Sequence, residues 1–323
     1  MNTSHDLPDW LRQSPAAGRN YHAMKQAPGK HNALNITAAV ALWGAVVLLL
    51  LAGAVVPWPV YIPVAGILLG SLYFGHFILI IHECSHDMFL LSQDRKRQKQ
   101  LNRAIGMVAG AMFFTDYLQH WEKGHRIHHL RPCEPDDPQD REPKTGAELY
   151  PKLALLLIPG VFVATNPSNQ YGFSLKRVLA GLAFTVPVVA LTWLTIGWQV
   201  PAAMLVGMHW VSVLNLLKKA QEHGCGLADE PMPILRSRTY FYPLQRLMSP
   251  FNINYHFEHH ANFSVPWYLL PRYHKDLLAI VPEDLQPYYF HRDYVKQLQG
   301  TKVLPPRELL FPAQAEAAAA PAK

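Results

Sequence analysis

Residues 252–274 read NINYHFEHHANFSVPWYLLPRYH, which sets His256, His259 and His260 within five residues of one another. Imidazole is polar at both ring nitrogens, so three packed this closely need partners, and a transition metal takes several neutral imidazoles at once. Two more stretches repeat the pattern. His125, His128 and His129 stand in HRIHH, while His82 and His86 stand in HECSH, four apart and so on one face of a helix. His223, in QEHG, follows the last long apolar run. Nine such ligands exceed the four that one zinc takes. Two metal ions are the economical reading.

The boxes lie at the edges of apolar runs. Half of the 323 residues are hydrophobic and the mean hydropathy is +0.01, too apolar for a water-soluble chain with this much polar tail. Asn32 to Ile81 contains no Asp, Glu, Lys or Arg and is broken only by Pro57, Trp58 and Pro59, which predicts a hairpin of spans 36–56 and 60–81. Each is long enough, at ~1.5 Å per residue, to cover the ~30 Å hydrocarbon core. A second hairpin is predicted from spans 178–198 and 201–217, with Pro187 as a kink. Ala104–Phe114 and Leu153–Thr165 are too short to cross and read as interfacial pieces. Arg12, Arg19, Lys25 and Lys30 before the first span, and Lys218 and Lys219 after the last, put both termini in the cytoplasm.

The predicted fold class is therefore an all-α membrane protein: four transmembrane helices in two hairpins, and a cytosolic, mostly helical cap (82–177 and 218–290) holding a histidine-rich dimetal site. Residues 1–35 read as a cytosolic N-terminal segment, 36–290 as one membrane domain, and 291–323 as a tail whose alanine-rich end is disordered. Leu7, Trp10 and Leu11 form a small amphipathic piece that either lies on the membrane surface or frays. About thirty polar residues precede the first apolar run, unlike a cleavable signal peptide. Cys84, Cys133 and Cys225 are odd in number and lack zinc-site spacing, so a reducing compartment without disulfides is expected. The net charge of +6 suits anionic lipid or an acidic partner protein, and no nucleic-acid, dinucleotide, P-loop or iron–sulfur motif is present.

The order HxxxH, HxxHH, a single His, then HxxHH followed by VPxxxLP (Val265, Pro266, Leu270, Pro271) resembles the integral-membrane fatty-acid desaturase superfamily, which also holds hydroxylases and carotenoid ketolases. The resemblance runs from about Ile36 to His274 and is most specific at the third box and its tail. It implies a di-iron centre on His82, His86, His125, His128, His129, His223, His256, His259 and His260, with O2 as co-substrate. It implies an apolar lipid substrate and, most simply, fatty-acyl desaturation, with hydroxylation or ketolation as the alternative. No flavin-, haem- or cluster-binding segment is present, so electrons must come from an external protein such as a ferredoxin or haem protein. Lys123, Arg126 and Arg131 offer a basic docking face, and Glu83, Glu222 and Glu258 are carboxylates placed to hold ligand rings.

Two rival readings exist. HECSH also fits the HExxH of a membrane zinc metalloprotease, with His82 and His86 as ligands and Glu83 as base. A transporter or metal store would use the intramembrane His76 and His209. Both leave the two HxxHH boxes unexplained. His120, outside the boxes, reads either as a group that orients a ligand ring or, by preference, as a surface histidine.

Overall fold

The computed structural model describes residues 8–139, 146–164, 167–224, 226–230, 232–291 and 304–311. Leu7, Cys225 and the alanine-rich end 312–323 lie outside them. In chain order the main helices are α1 (Asp9–Ala17), α2 (Pro28–Ala52), α3 (Trp58–His76), α4 (Arg95–Ala111), α5 (Gly146–Leu155), α6 (Leu175–Thr195), α7 (Gln199–His223), α8 (His256–Ala261) and α9 (Leu270–Leu278). The chain is mostly helical. Among the described residues the only sheet is a two-residue parallel pairing, Thr239–Tyr240 with Phe290–His291.

Among the described residues four helices are long and apolar enough to cross a membrane: α2, α3 with its extension to Ser85, α6 and α7. Val40, Leu48 and Val55, and Leu191 and Leu194 near the end of α6, stand exposed, as lipid-facing side chains do and water-facing ones rarely do in such numbers. The closest helix pair is α3 against α7. A Cβ at Gly70 would lie 2.7 Å from the Gly207 carbonyl oxygen, so paired glycines let these two backbones meet. Leu69, Tyr73, Val200, Ala203 and Leu214 fill the core around that crossing.

The helix bounds differ from those read in the sequence. Helix α2 starts at Pro28 rather than Ile36, because its polar first turns are satisfied from afar. His31 Nε2 donates to the Met88 carbonyl at 2.6 Å, and Asn35 Nδ2 donates to the Phe89 carbonyl at 2.9 Å. The second helix does not stop at Ile81 but widens into a π-helical turn, Phe77–His82, that runs straight into the first box. Helix α7 ends at His223, beyond Leu217, so Lys218 to His223 form its last turns. Helix α6 starts at Leu175, capped by Ser174, and runs unbroken through Pro187 to Thr195. Ala104–Phe114 is not a separate interfacial piece. Most of it belongs to α4, which the Asp94 side chain caps by accepting from the Lys96 and Arg97 amides.

A second core lies outside the four long helices, where Phe257, Tyr273, Leu277, Leu285 and Tyr289 are fully buried. The N-terminal piece belongs to it. Trp10 and Leu11 of α1 are buried in that core, and the Tyr273 hydroxyl donates to the Ser14 carbonyl at 2.6 Å, so α1 is a docked helix rather than a frayed end. Leu310, in a short helical turn at Arg307–Leu310, packs into the same core.

Candidate metal centre

Helical spacing decides which histidine goes where. Residues four apart on a helix project together, and a residue three along projects to one side. The structure sorts the nine histidines accordingly. His82, His86, His125, His129 and His259 form one group, and His128, His223, His256 and His260 form another. Each i,i+4 pair stays within one group: 82 with 86, 125 with 129, 256 with 260. The remaining member of each HxxHH box crosses to the other group. Each HxxHH box therefore spans both groups, while the first box completes the group of five and His223 the group of four.

Within each group the ligating atoms all lie within 4.8 Å of one another. An ion held at about 2.0–2.1 Å by imidazole nitrogens sets neighbouring nitrogens about 3 Å apart at right angles. Here the Nε2 atoms of His82 and His259 are 2.9 Å apart, those of His125 and His129 3.1 Å, and those of His223 and His256 2.8 Å. The nitrogens Nε2 of His86 and both Nδ1 and Nε2 of His260 are buried with no hydrogen-bond partner among the described residues, a cost that an ion would remove. The donor set fits two metal ions.

Burial sets the protonation state. It pushes the rings of His86, His128, His129, His256, His259 and His260 well below the ordinary imidazole value, with neighbouring imidazoles and cations adding to the effect. His125 is pushed down to about 3, burial again being the main cause. These rings are neutral at pH 7, the form that binds metal.

Groups behind the rings fix their tautomers. His128 Nδ1 donates to Asp137 at 2.8 Å, His125 Nδ1 to Gln139 Oε1 at 3.1 Å, and His223 Nδ1 to the Arg236 carbonyl at 2.7 Å, which leaves each Nε2 lone pair facing its group. The sequence reading missed all three. The signal for two of them lies in Asp137 and Gln139, an acid and an amide close after the second box.

Of the three carboxylates named from sequence, Glu83 lies behind its ring, 3.4 Å from His82 Nδ1. Glu222 instead stands on the ligand side, 3.4 Å from His256 Nε2, and accepts from Lys218. Glu258 holds no box ring. It accepts from Thr239 Oγ1 and His274 Nδ1 and so anchors α8 as a whole, while Thr239 Oγ1 also accepts from the Phe257 amide at 3.2 Å.

The histidines outside the boxes stay outside the centre. His76 Nε2 donates to the Ala109 carbonyl at 3.1 Å and its Nδ1 accepts from Trp43 at 3.2 Å. His209 Nδ1 donates to the Leu156 carbonyl at 2.8 Å and its Nε2 accepts from the Gly160 amide at 3.0 Å. Both rings are taken up by hydrogen bonds within the fold, which removes the basis of the transporter reading. His120 is not on the surface, as its sequence position implied; it is buried against Trp121 and Tyr171. The protease reading also fails. His82 and His86 share their group with three more imidazoles, whereas a catalytic zinc keeps three protein ligands and an open position.

The fatty acid desaturase family matches residues 57–292, most of the chain and all nine histidines. The chain belongs to this family. It is also similar to the sphingolipid delta(4)-desaturase DES1 of Xenopus tropicalis, 29% identical over 237 residues, 71% of this chain and 68% of the relative. Membership makes it a desaturase-type oxidoreductase and supports a membrane setting and a lipid substrate. The desaturase match begins at Pro57, so α1 and α2 precede it.

Proposed function

We propose that this desaturase is an O2-dependent di-iron enzyme that introduces a double bond into the acyl chain of a membrane lipid. The observation that carries the reading is the division of nine histidines into a group of five and a group of four, each compact enough for one ion. In this reading His82, His86, His125, His129 and His259 hold one iron, and His128, His223, His256 and His260 hold the other. Bound there, the iron pair supplies the activation of O2 that removes hydrogen from an unactivated C–H bond. Over one turnover a –CH2–CH2– unit, O2, two electrons and two protons give –CH=CH– and two waters.

The chain's own part is positioning and exclusion of water. Asp137, Gln139 and the Arg236 carbonyl hold three rings with Nε2 inward. Glu222, paired with Lys218, sets a carboxylate beside His256. Gln98 and Asn102 of α4 hold the loop after the first box, Gln98 Nε2 donating to the Asp87 carbonyl at 2.7 Å and Asn102 Nδ2 to the Leu90 carbonyl at 2.8 Å.

The reading includes two helical hairpins, 1–35 and the tail 291–323 in the cytoplasm, and the membrane domain 36–290 presenting its cap there. Its support is the basic flanks Arg12, Arg19, Lys25, Lys30, Lys218 and Lys219. Electrons come from an external donor, a ferredoxin or haem protein. Lys123 and Arg126, exposed beside the second box, offer it a basic face, while Arg131 is engaged with Asp136 at 2.6 Å. The activity of the relative favours a lipid acyl chain over a carotenoid as the substrate. The test is incubation of the purified protein with a lipid extract, O2 and a reducing system. A new acyl double bond supports the reading, and a hydroxylated or ketonic product alone refutes it.

A further inference from the structure

Residues 137–139 form a short segment after the second box, and both Asp137 and Gln139 are buried. Asp137 Oδ2 accepts from His128 Nδ1 at 2.8 Å and from the Cys133 amide at 3.0 Å, and its Oδ1 accepts from the Gln139 amide at 2.8 Å. Gln139 Oε1 in turn accepts from His125 Nδ1 at 3.1 Å, and its carbonyl accepts from Lys219 Nζ of α7 at 2.9 Å. His128 belongs to the group of four and His125 to the group of five. One three-residue segment therefore orients a ring in each group.

We infer that Asp137 is the positioning residue that couples the two metal positions, acting on His128 directly and on His125 through Gln139. The inference rests on the two-metal reading above. The geometry asks for a carboxylate. Three N–H groups converge on its two oxygens, so an asparagine would turn its own NH2 toward at least one of them and leave a buried donor unpaired. Pro138, between the two residues, fixes its own φ and stiffens the link, so loss of the Asp137 anchor is passed to Gln139. Among the described residues the Gln139 side chain makes no hydrogen bond to a ring of the group of four, so the effect of changing that side chain is confined to the group of five.

The prediction separates the two residues. Loss of a group that orients a ligand ring lowers metal affinity by about 10- to 100-fold. Asp137→Asn should weaken both positions by that factor. Gln139→Leu should weaken only the group of five, and Gln139→Glu, which keeps the acceptor, should restore it.

The experiment strips the full-length protein of metal in detergent and titrates it with Co(II), whose visible bands are more intense at four-coordinate than at five-coordinate sites. Wild type should take up two ions with distinguishable bands; fewer than two would overturn the two-metal reading itself. Given two, the coupling is overturned if Asp137→Asn leaves either position at wild-type affinity, or if Gln139→Leu shifts both equally. Thermal unfolding of the metal-free variants shows whether Asp137→Asn folds. If it does not, the Gln139→Leu and Gln139→Glu pair decides: a shift confined to the five-coordinate bands and reversed by glutamate supports the inference, and any other pattern overturns it.

Discussion

His260→Ala and His259→Ala remove neighbouring rings that serve different groups, so they should have different metal stoichiometries. His260→Ala leaves the group of four with three imidazoles, His128, His223 and His256, and leaves the group of five intact. Structural four-ligand zinc sites bind with about 10–16 kcal/mol, so one ligand in four carries about 2.5–4 kcal/mol. At 1.4 kcal/mol per tenfold this is a loss of about 60- to 700-fold at that position. His259→Ala still leaves four imidazoles in its group, a full set for one ion, and should retain more metal. The assay is metal content per chain after dialysis against a graded series of chelator concentrations. His260→Ala should fall from two ions to one at a chelator level that leaves wild type loaded, with His259→Ala between them. If both variants lost the same amount, or His260→Ala stayed fully loaded, the division into five and four would be wrong.

Three further outcomes follow from the packing and the charges. Gly70→Ala places a Cβ 2.7 Å from both the Gly207 carbonyl and Trp210; overpacking of this kind costs about 1–3 kcal/mol, read as a lower unfolding temperature in detergent. Trp10→Ala empties a buried site in the second core and should cost about 3–5 kcal/mol; unchanged thermal stability would mean that α1 is not docked in solution. In the metal-free protein, burial holds His125 down to about 3, below the ordinary unfolded value of about 6.5. The unfolded chain therefore takes up the proton first, and stability present above about pH 6.5 is lost as the pH falls toward 3, by up to ~1.4 kcal/mol per pH unit for each such ring. Denaturant titrations of metal-free protein at pH 7.5 and pH 5 should show the lower stability at pH 5.

The sequence carries much of this arrangement because a helix converts spacing into direction. The HxxHH boxes contain, in their i,i+3,i+4 pattern, both the pairing of His125 with His129 and the crossing of His128 to the other group. The four apolar stretches were likewise legible from length and the absence of charge. The parts that were not legible depend on partners distant in sequence. His31 and Asn35 read as flank, yet they fold into α2 because carbonyls at Met88 and Phe89 accept their protons. Trp10 and Leu11 read as surface because the core they enter is built from residues beyond Met232. The π-helical segments Phe77–His82 and Tyr117–His125, through which two of the boxes enter the site, have no residue-type signature. Asp137 is one acid among several after the second box, and nothing in the sequence singles it out.

The most direct test of the central claim is iron per chain measured on the same sample as O2-dependent turnover of a lipid acyl chain, with an added electron donor. The account predicts two irons per chain and a product lighter than its substrate by two hydrogens, formed only when both O2 and the donor are present. Turnover by iron-free protein, or a fully active sample holding a single iron per chain, would contradict it.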